Sequence, residues 1–136
     1  MRLSTRSEYG LRALVSIVHR EGEQPVPLRV IAEEEEISEQ YLEQIFVELR
    51  RAGFVVSVRG AKGGYRLARP AEEIRIGDVV RLLEGSLAPY ECLEGDGTTC
   101  VRQDRCYTRK IWQRLQETIE DTLGQMSLAE AAAERV

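Results

Sequence analysis

Three cysteines, Cys92, Cys100 and Cys106, are the residues of this chain best suited to chemistry. All lie in one stretch, SLAPYECLEGDGTTCVRQDRCY, with the spacing C-x7-C-x5-C. An odd number of thiols argues against a disulfide framework. Tetrahedral zinc wants four nitrogen or sulfur ligands, usually around a tight CxxC knuckle, and this stretch has neither the knuckle nor a histidine. Thiolates are soft donors, and three of them widely spaced on one loop suit an iron-sulfur cluster. Thiol oxidation sensing and zinc are the competing uses. The stretch is rich in turn formers and acids and lacks helical periodicity, and a loop of that length in a small domain usually has a function.

The elements before the loop carry a second kind of chemistry. Pro27 suits the first turn of a helix through Leu28, Val30, Ile31 and Ala32, with Glu33 to Glu36 facing solvent. After Ile37, Ser38 can cap a second helix, and Glu39 complements its positive end. Leu42, Ile45, Phe46 and Leu49 recur at helical spacing and bury one face. Ser38, Gln40, Tyr41, Glu43 and Gln44 are left near the exposed amino end, where a helix entering a DNA groove makes base and phosphate contacts. Gly53 ends this helix, and a β-branched run to Val58 leads through Arg59-Gly60-Ala61-Lys62-Gly63-Gly64 to a return strand, Tyr65 to Ala68. Glycines make that hairpin tip flexible. Between Leu49 and Pro70 stand Arg50, Arg51, Arg59, Lys62, Arg66 and Arg69 and no acidic residue. Clustered cations neutralise phosphate wherever the net charge lies, so the overall −4 does not exclude DNA. Arg59, at the base of the hairpin, is placed to enter a minor groove. Two helices followed by a basic hairpin outline a winged helix-turn-helix.

With 136 residues, 43% of them hydrophobic, the chain suits one compact domain with an appendage. No apolar run approaches membrane-spanning length, and charges interrupt the amino-terminal segment too closely for a secretory leader, so a cytoplasmic protein without membrane partners is expected. Leu11, Leu14, Val15 and Val18 predict a helix from about Ser7 to Arg20 that packs on the reading module, preceded by Arg2 and Arg6 within reach of phosphate. Ile76, Val79, Val80 and Leu83 predict a short helix ending near Gly85. Beyond the cysteines, Ile111, Trp112, Leu115, Ile119 and Leu123 form a stripe on a helix of about four turns. A helix so late in the chain has little of its own domain left to cover it, which points to a homodimer. Ser127-Leu128-Ala129-Glu130 has capping-box form before an alanine-rich end read as a frayed helix. The expected fold is mainly α with a small β-hairpin wing, a winged helix-turn-helix plus a long dimerisation helix. Residues 1–85 form the DNA-binding domain, 86–107 the cysteine-containing loop, and 108–136 the dimerisation helix and tail.

Taken together, MRLSTRSEYGLRAL, ISEQYLEQIF, VRGAKGGYRL, IRIGDVVRLLEG and the three-cysteine loop before a long helix resemble the Rrf-two family of bacterial transcription regulators, and within it the IscR-type iron-sulfur cluster regulators. The resemblance spans nearly the whole chain. It implies a repressor that binds a partly palindromic double-stranded operator as a homodimer, with crossed long helices and a cysteine loop that reports cluster or redox status. It implies [2Fe-2S] in preference to [4Fe-4S]; separately, no paired carboxylate, nucleophile-base set or phosphate loop supports catalysis, so no enzymatic activity is expected. It also implies that Glu43 helps decide which operator class is bound, since a carboxylate there can accept from a cytosine amino group or repel unsuited sites.

The chain departs from the IscR-type pattern at two places. The first cysteine gap is seven residues where that pattern has five, an insertion within Glu94-Gly95-Asp96-Gly97-Thr98-Thr99. The position of the family's histidine ligand, three after the last cysteine, is Arg109, which cannot ligate iron. Oxygen ligands at hand are Glu91, Glu94, Asp96 and Glu8. Relatives that sense nitric oxide or redox state take an acidic ligand from about the last of these places on the partner subunit, so Glu8 is the first choice. His19, the only histidine, reads as a surface residue. The alternative function is a cofactor-free winged-helix regulator that senses thiol oxidation, a small molecule or a protein partner.

Overall fold

The computed structural model describes residues 2–20, 24–95 and 101–134. Helix α1 (Thr5–His19) buries Ser7, Gly10, Ala13, Leu14, Ser16 and Ile17. That face is turned from the one expected, with Leu11, Val15 and Val18 only partly covered, because small side chains let its neighbours approach closely. A Cβ on Gly10 would stand 2.5 Å from Leu83 Cδ1 and 3.3 Å from Ile45 Cγ2.

Helix α2 (Leu28–Glu35) starts after Pro27 and stops at Glu36, which takes the left-handed conformation at φ 56°. That turn sends the chain through buried Ile37 into α3 (Glu39–Arg51). Ser38 Oγ accepts from the Tyr41 N–H at 3.3 Å, satisfying one of the amides a helix start leaves without a partner. Leu42, Ile45, Phe46 and Leu49 are fully buried, the 3.6-residue period realised as one core-facing stripe. Gly53, at φ 83°, turns the chain into strand β1 (Val55–Val58), which pairs antiparallel with β2 (Gly64–Leu67) from Val55↔Leu67 to Val58↔Gly64.

The wing is fastened at its base. Val26 and Tyr65 exchange backbone hydrogen bonds of 2.8 Å in each direction, adding a short third rung before α2. The Tyr65 ring meets Phe46 edge-on at 4.9 Å, so the reading helix and wing share one packing contact. A flexible tip was expected from the glycines, but Gly63 and Gly64 are sterically required. A Cβ on Gly63 would overlap the carbonyl of Val58, and one on Gly64 would overlap the backbone of Val26.

Helix α4 (Ile76–Glu84) buries Ile76, Val79, Val80 and Leu83 as expected. The cysteine stretch contains two 3-10 turns, Glu91–Leu93 and Gln103–Arg105. Helix α5 (Arg109–Gln125) crosses α4 closely at Gly77, where a Cβ would stand 3.1 Å from the Gly124 nitrogen. Its carboxyl half packs inward through Ile119 and Leu123, whereas Ile111 and Leu115 in its amino half remain 54% and 40% exposed.

The tail corrects the expectation of a frayed end. Ser127 and Glu130 form a full capping box on α6 (Leu128–Ala133), and Leu128 is completely buried. The Leu128 N–H bonds Ile74 O at 2.8 Å, and the Ile76 N–H bonds Met126 O at 2.9 Å. His19 Nε2 lies 2.6 Å from Ala132 O, so this exposed histidine ties α1 to α6. The last helix thus completes the core of the winged domain. No helix is long and apolar enough to cross a membrane among the described residues.

Candidate DNA interface and cysteine loop

The amino end of α3 presents Gln40, Glu43 and Gln44 to solvent, together with exposed Ser38, whose hydroxyl oxygen is engaged as the cap. Tyr41 is only partly exposed. It is half-buried against the core, its ring edge-on to Tyr9 at 5.8 Å and its hydroxyl 3.2 Å from Thr5 Oγ1. Arg6 is likewise held within the fold: its guanidinium pairs with Glu48 and donates to Leu83 O at 3.3 Å, leaving little of it for phosphate.

The remaining cations are open. Arg2, Arg50, Arg51, Arg59, Lys62, Arg66 and Arg69 are exposed, and none has a carboxylate partner among the described residues. Arg59 and Lys62 flank the hairpin tip, while Arg69 lies over the Phe54 ring at 5.0 Å. By contrast, Arg12 of α1 pairs with Glu35 at 3.1 Å, and Arg20, just after the helix, pairs with Glu34. The cations of α3 and the wing thus differ from those beside α2, which are neutralised by its acidic end.

Of the cysteines, Cys92 sits in the first 3-10 turn and Cys106 follows the second; both are half-buried, with no disulfide between them. Cys100 and Asp96 lie outside the described residues. The Thr108 hydroxyl, 3.4 Å from Cys106 Sγ, lowers that thiol's pKa, aided by the Thr108 and Arg109 backbone and the Arg109 charge. Glu91 and Glu94 are exposed within the loop. Glu8, in the first turn of α1, has 61% of its side chain exposed and only a loose 3.7 Å pairing with Arg12. Among the described residues no three histidine, cysteine or acidic side chains converge as a metal-holding group within this single chain.

A family model described as Rrf2, iron-dependent transcriptional regulator, matches residues 3–134. This chain belongs to the Rrf2 family. It is 44% identical over 130 residues to the protein rrf2 of Nitratidesulfovibrio vulgaris, covering 96% of this chain and 86% of that one. It is 40% identical over 130 residues to the transcriptional regulator IscR of Serratia proteamaculans, covering 96% and 78%. The structure of CymR, the global cysteine regulator of B. subtilis, superposes with a TM-score of 0.82 at 34% identity, covering 100% of this chain and 99% of that one. The chain is therefore a DNA-binding transcriptional regulator with a winged-helix fold, and its relatives are regulators rather than enzymes.

Sequence reasoning missed Glu84 in this Rrf2 regulator, and with it the network at the start of α1. Its Oε1 accepts from the Ser4 N–H at 2.6 Å, the Ser4 hydroxyl at 2.7 Å and the Ser7 hydroxyl at 2.6 Å. The sequence shows only a serine before a helix, the ordinary cap; that its hydroxyl turns away to Glu84 is visible in the structure alone.

Proposed function

We propose that this Rrf2 regulator is a homodimeric repressor of a partly palindromic operator, controlled by an iron-sulfur cluster on the loop of Cys92, Cys100 and Cys106. The observation that carries the reading is the loop's place in the chain. It runs from the end of α4, inside the reading domain, to the start of α5, whose exposed Ile111 and Leu115 form a face suited to a second copy. A change at the loop then bears on both the reading heads and the dimer contact, which together set the spacing between half-sites.

The donor set suits such a group. Cys92 and Cys106 are accessible, and Cys106 is biased toward the thiolate, the form that ligates. The partner subunit's Glu8 is our choice of fourth ligand, because the same residue here is exposed and weakly paired and Arg109 offers no lone pair. A bound cluster supplies sensitivity to oxidation and to ligand loss, with [2Fe-2S] favoured over [4Fe-4S]. On the DNA side, Arg2, Ser38, Gln40, Glu43, Gln44, Arg50, Arg59 and Lys62 are the proposed contacts, with Tyr41 positioning the helix from behind. Arg59→Ala should cost about 1.5–3 kcal/mol of operator affinity per protomer and lower the slope of log affinity against log salt by about 0.9 for each protomer bound. Unchanged affinity at moderate salt would remove Arg59 from the interface.

The lowered pKa of Cys106 favours one second reading, a loop that senses thiol oxidation without a cluster. Visible absorption, iron and acid-labile sulfide assays on protein purified without oxygen separate the two. The cluster reading expects charge-transfer bands, with about one cluster per subunit, and the iron ratio distinguishes [2Fe-2S] from [4Fe-4S]. Protein that stays colourless and iron-free after reconstitution leaves the thiol sensor.

A further inference from the structure

The end of α4, the start of α1 and the flank of α3 are joined by a polar network that ordinary helix rules do not explain. Ser4 occupies the position before α1 where a serine would cap the helix, yet its hydroxyl makes no such bond. It is spent on Glu84 instead, with the Ser4 N–H and the Ser7 hydroxyl converging on the same Oε1. Ser7 is 3% exposed, so its hydroxyl has no ready alternative in water. Arg6, between these serines, donates to Leu83 O and pairs with Glu48 on α3. Burial by itself would raise the pKa of Glu84, but the Ser7 and Ser4 bonds and the Arg6 charge outweigh it and hold the carboxyl below its ordinary value.

Glu84 is the last residue of α4, and Gly85, at φ 84°, opens the path into the cysteine stretch. Two residues before Ser4 stands exposed Arg2. We propose that Glu84 is a positioning residue for DNA binding, pinning the amino-terminal arm that carries Arg2 and, through Arg6 and Glu48, locking the reading helix to the root of the cysteine loop. The inference deepens the proposed function: it supplies the path by which the loop reaches DNA.

The test uses the full-length protein and a duplex enriched from a random pool by the wild-type chain. Glu84→Ala should weaken binding to that duplex about tenfold and lower the salt slope by about 0.9 for each protomer bound, as the phosphate contact by its Arg2 is lost. The Ser4 amide should exchange with solvent faster. Glu84→Gln keeps an acceptor oxygen and should recover part of both losses. Ser4→Ala with Ser7→Ala removes both hydroxyl bonds but keeps the Ser4 N–H bond to the carboxylate, so it should move the slope part of the way toward that of Glu84→Ala, and it reads the role of the network even if Glu84→Ala folds poorly. In the Glu84→Ala background, replacing the three cysteines with alanine should change affinity less than it does in the wild type.

Faster exchange at Ser4 with wild-type affinity and slope would overturn the proposal. So would an affinity loss that follows thermal stability while the slope stays fixed, because that is the behaviour of a packing staple. If cysteine replacement leaves wild-type affinity unchanged, the sensing reading fails, while the arm and slope results still decide the role of Glu84.

Discussion

Gly64→Ala should disable this regulator more thoroughly than any single change on its DNA face. Gly64 sits at φ 150°, and its α-carbon faces the Val26 carbonyl and Pro27, whose nitrogen lies 2.6 Å from where a Cβ would stand. Backbone atoms on both sides cannot yield as a side chain can. An added methyl must therefore push β2 away from Val26 and break the pair of 2.8 Å bonds joining Val26 to Tyr65. Tyr65 would retreat from Phe46, loosening the contact that links wing and reading helix. Unfavourable backbone conformation and overpacking each cost about 1–3 kcal/mol, so a total of roughly 2–6 kcal/mol is expected. That is a large share of the roughly 5–15 kcal/mol that holds a typical domain together. Urea unfolding should show the loss, and operator binding should fall with it. A midpoint equal to that of the wild type would show that the wing base is not under this constraint.

Much of the fold was legible because it rests on local rules. The period of Leu42, Ile45, Phe46 and Leu49, the Ser38 cap and the β-branched run before the glycines are short-range signals, and each matches the structure. What escaped prediction depends on residues distant in sequence. The α6 segment is held by Ile74, Ile76 and His19, and no periodicity in six residues announces those partners. Arg6 read as a free cation because Glu48, its partner, is 42 positions away. Tyr41 stood among polar neighbours, and only the approach of Tyr9 and Thr5 turns it inward. The glycines of the wing signalled a turn, but their spacing gave no sign that at Gly63 and Gly64 the chain passes too close to itself for any side chain.

The candidate site divides in the same way. Exposed Gln40, Glu43, Gln44, Arg59 and Lys62 follow from helical phase and hairpin position, so sequence could nominate them. The electrostatic contrast needed coordinates. Arg12 and Arg20 count toward the positive charge of the chain, yet both are neutralised by the acidic run at the end of α2. The unpaired cations of α3 and the wing then form the face with the most to gain from phosphate.

The central claim, that the state of the cysteine loop sets operator affinity, has a consequence as large as the wing substitution but of a different kind. Cys92→Ala, Cys100→Ala and Cys106→Ala together remove half-exposed thiols at Cys92 and Cys106, neither of which is a core residue. Folding should survive, as read by unchanged circular dichroism and a thermal midpoint equal to that of cluster-free wild type. Operator affinity should not. Coupling between two sites in one protein is typically 1–3 kcal/mol, so the triple variant and the wild type, both purified and assayed without oxygen, should differ roughly 5–150-fold on the same duplex. The deciding measurement is that pair of titrations at one fixed salt concentration. A separation in that range, with iron and sulfide present only in the wild type, is the result predicted; superimposable titration curves would contradict control of DNA binding by the loop.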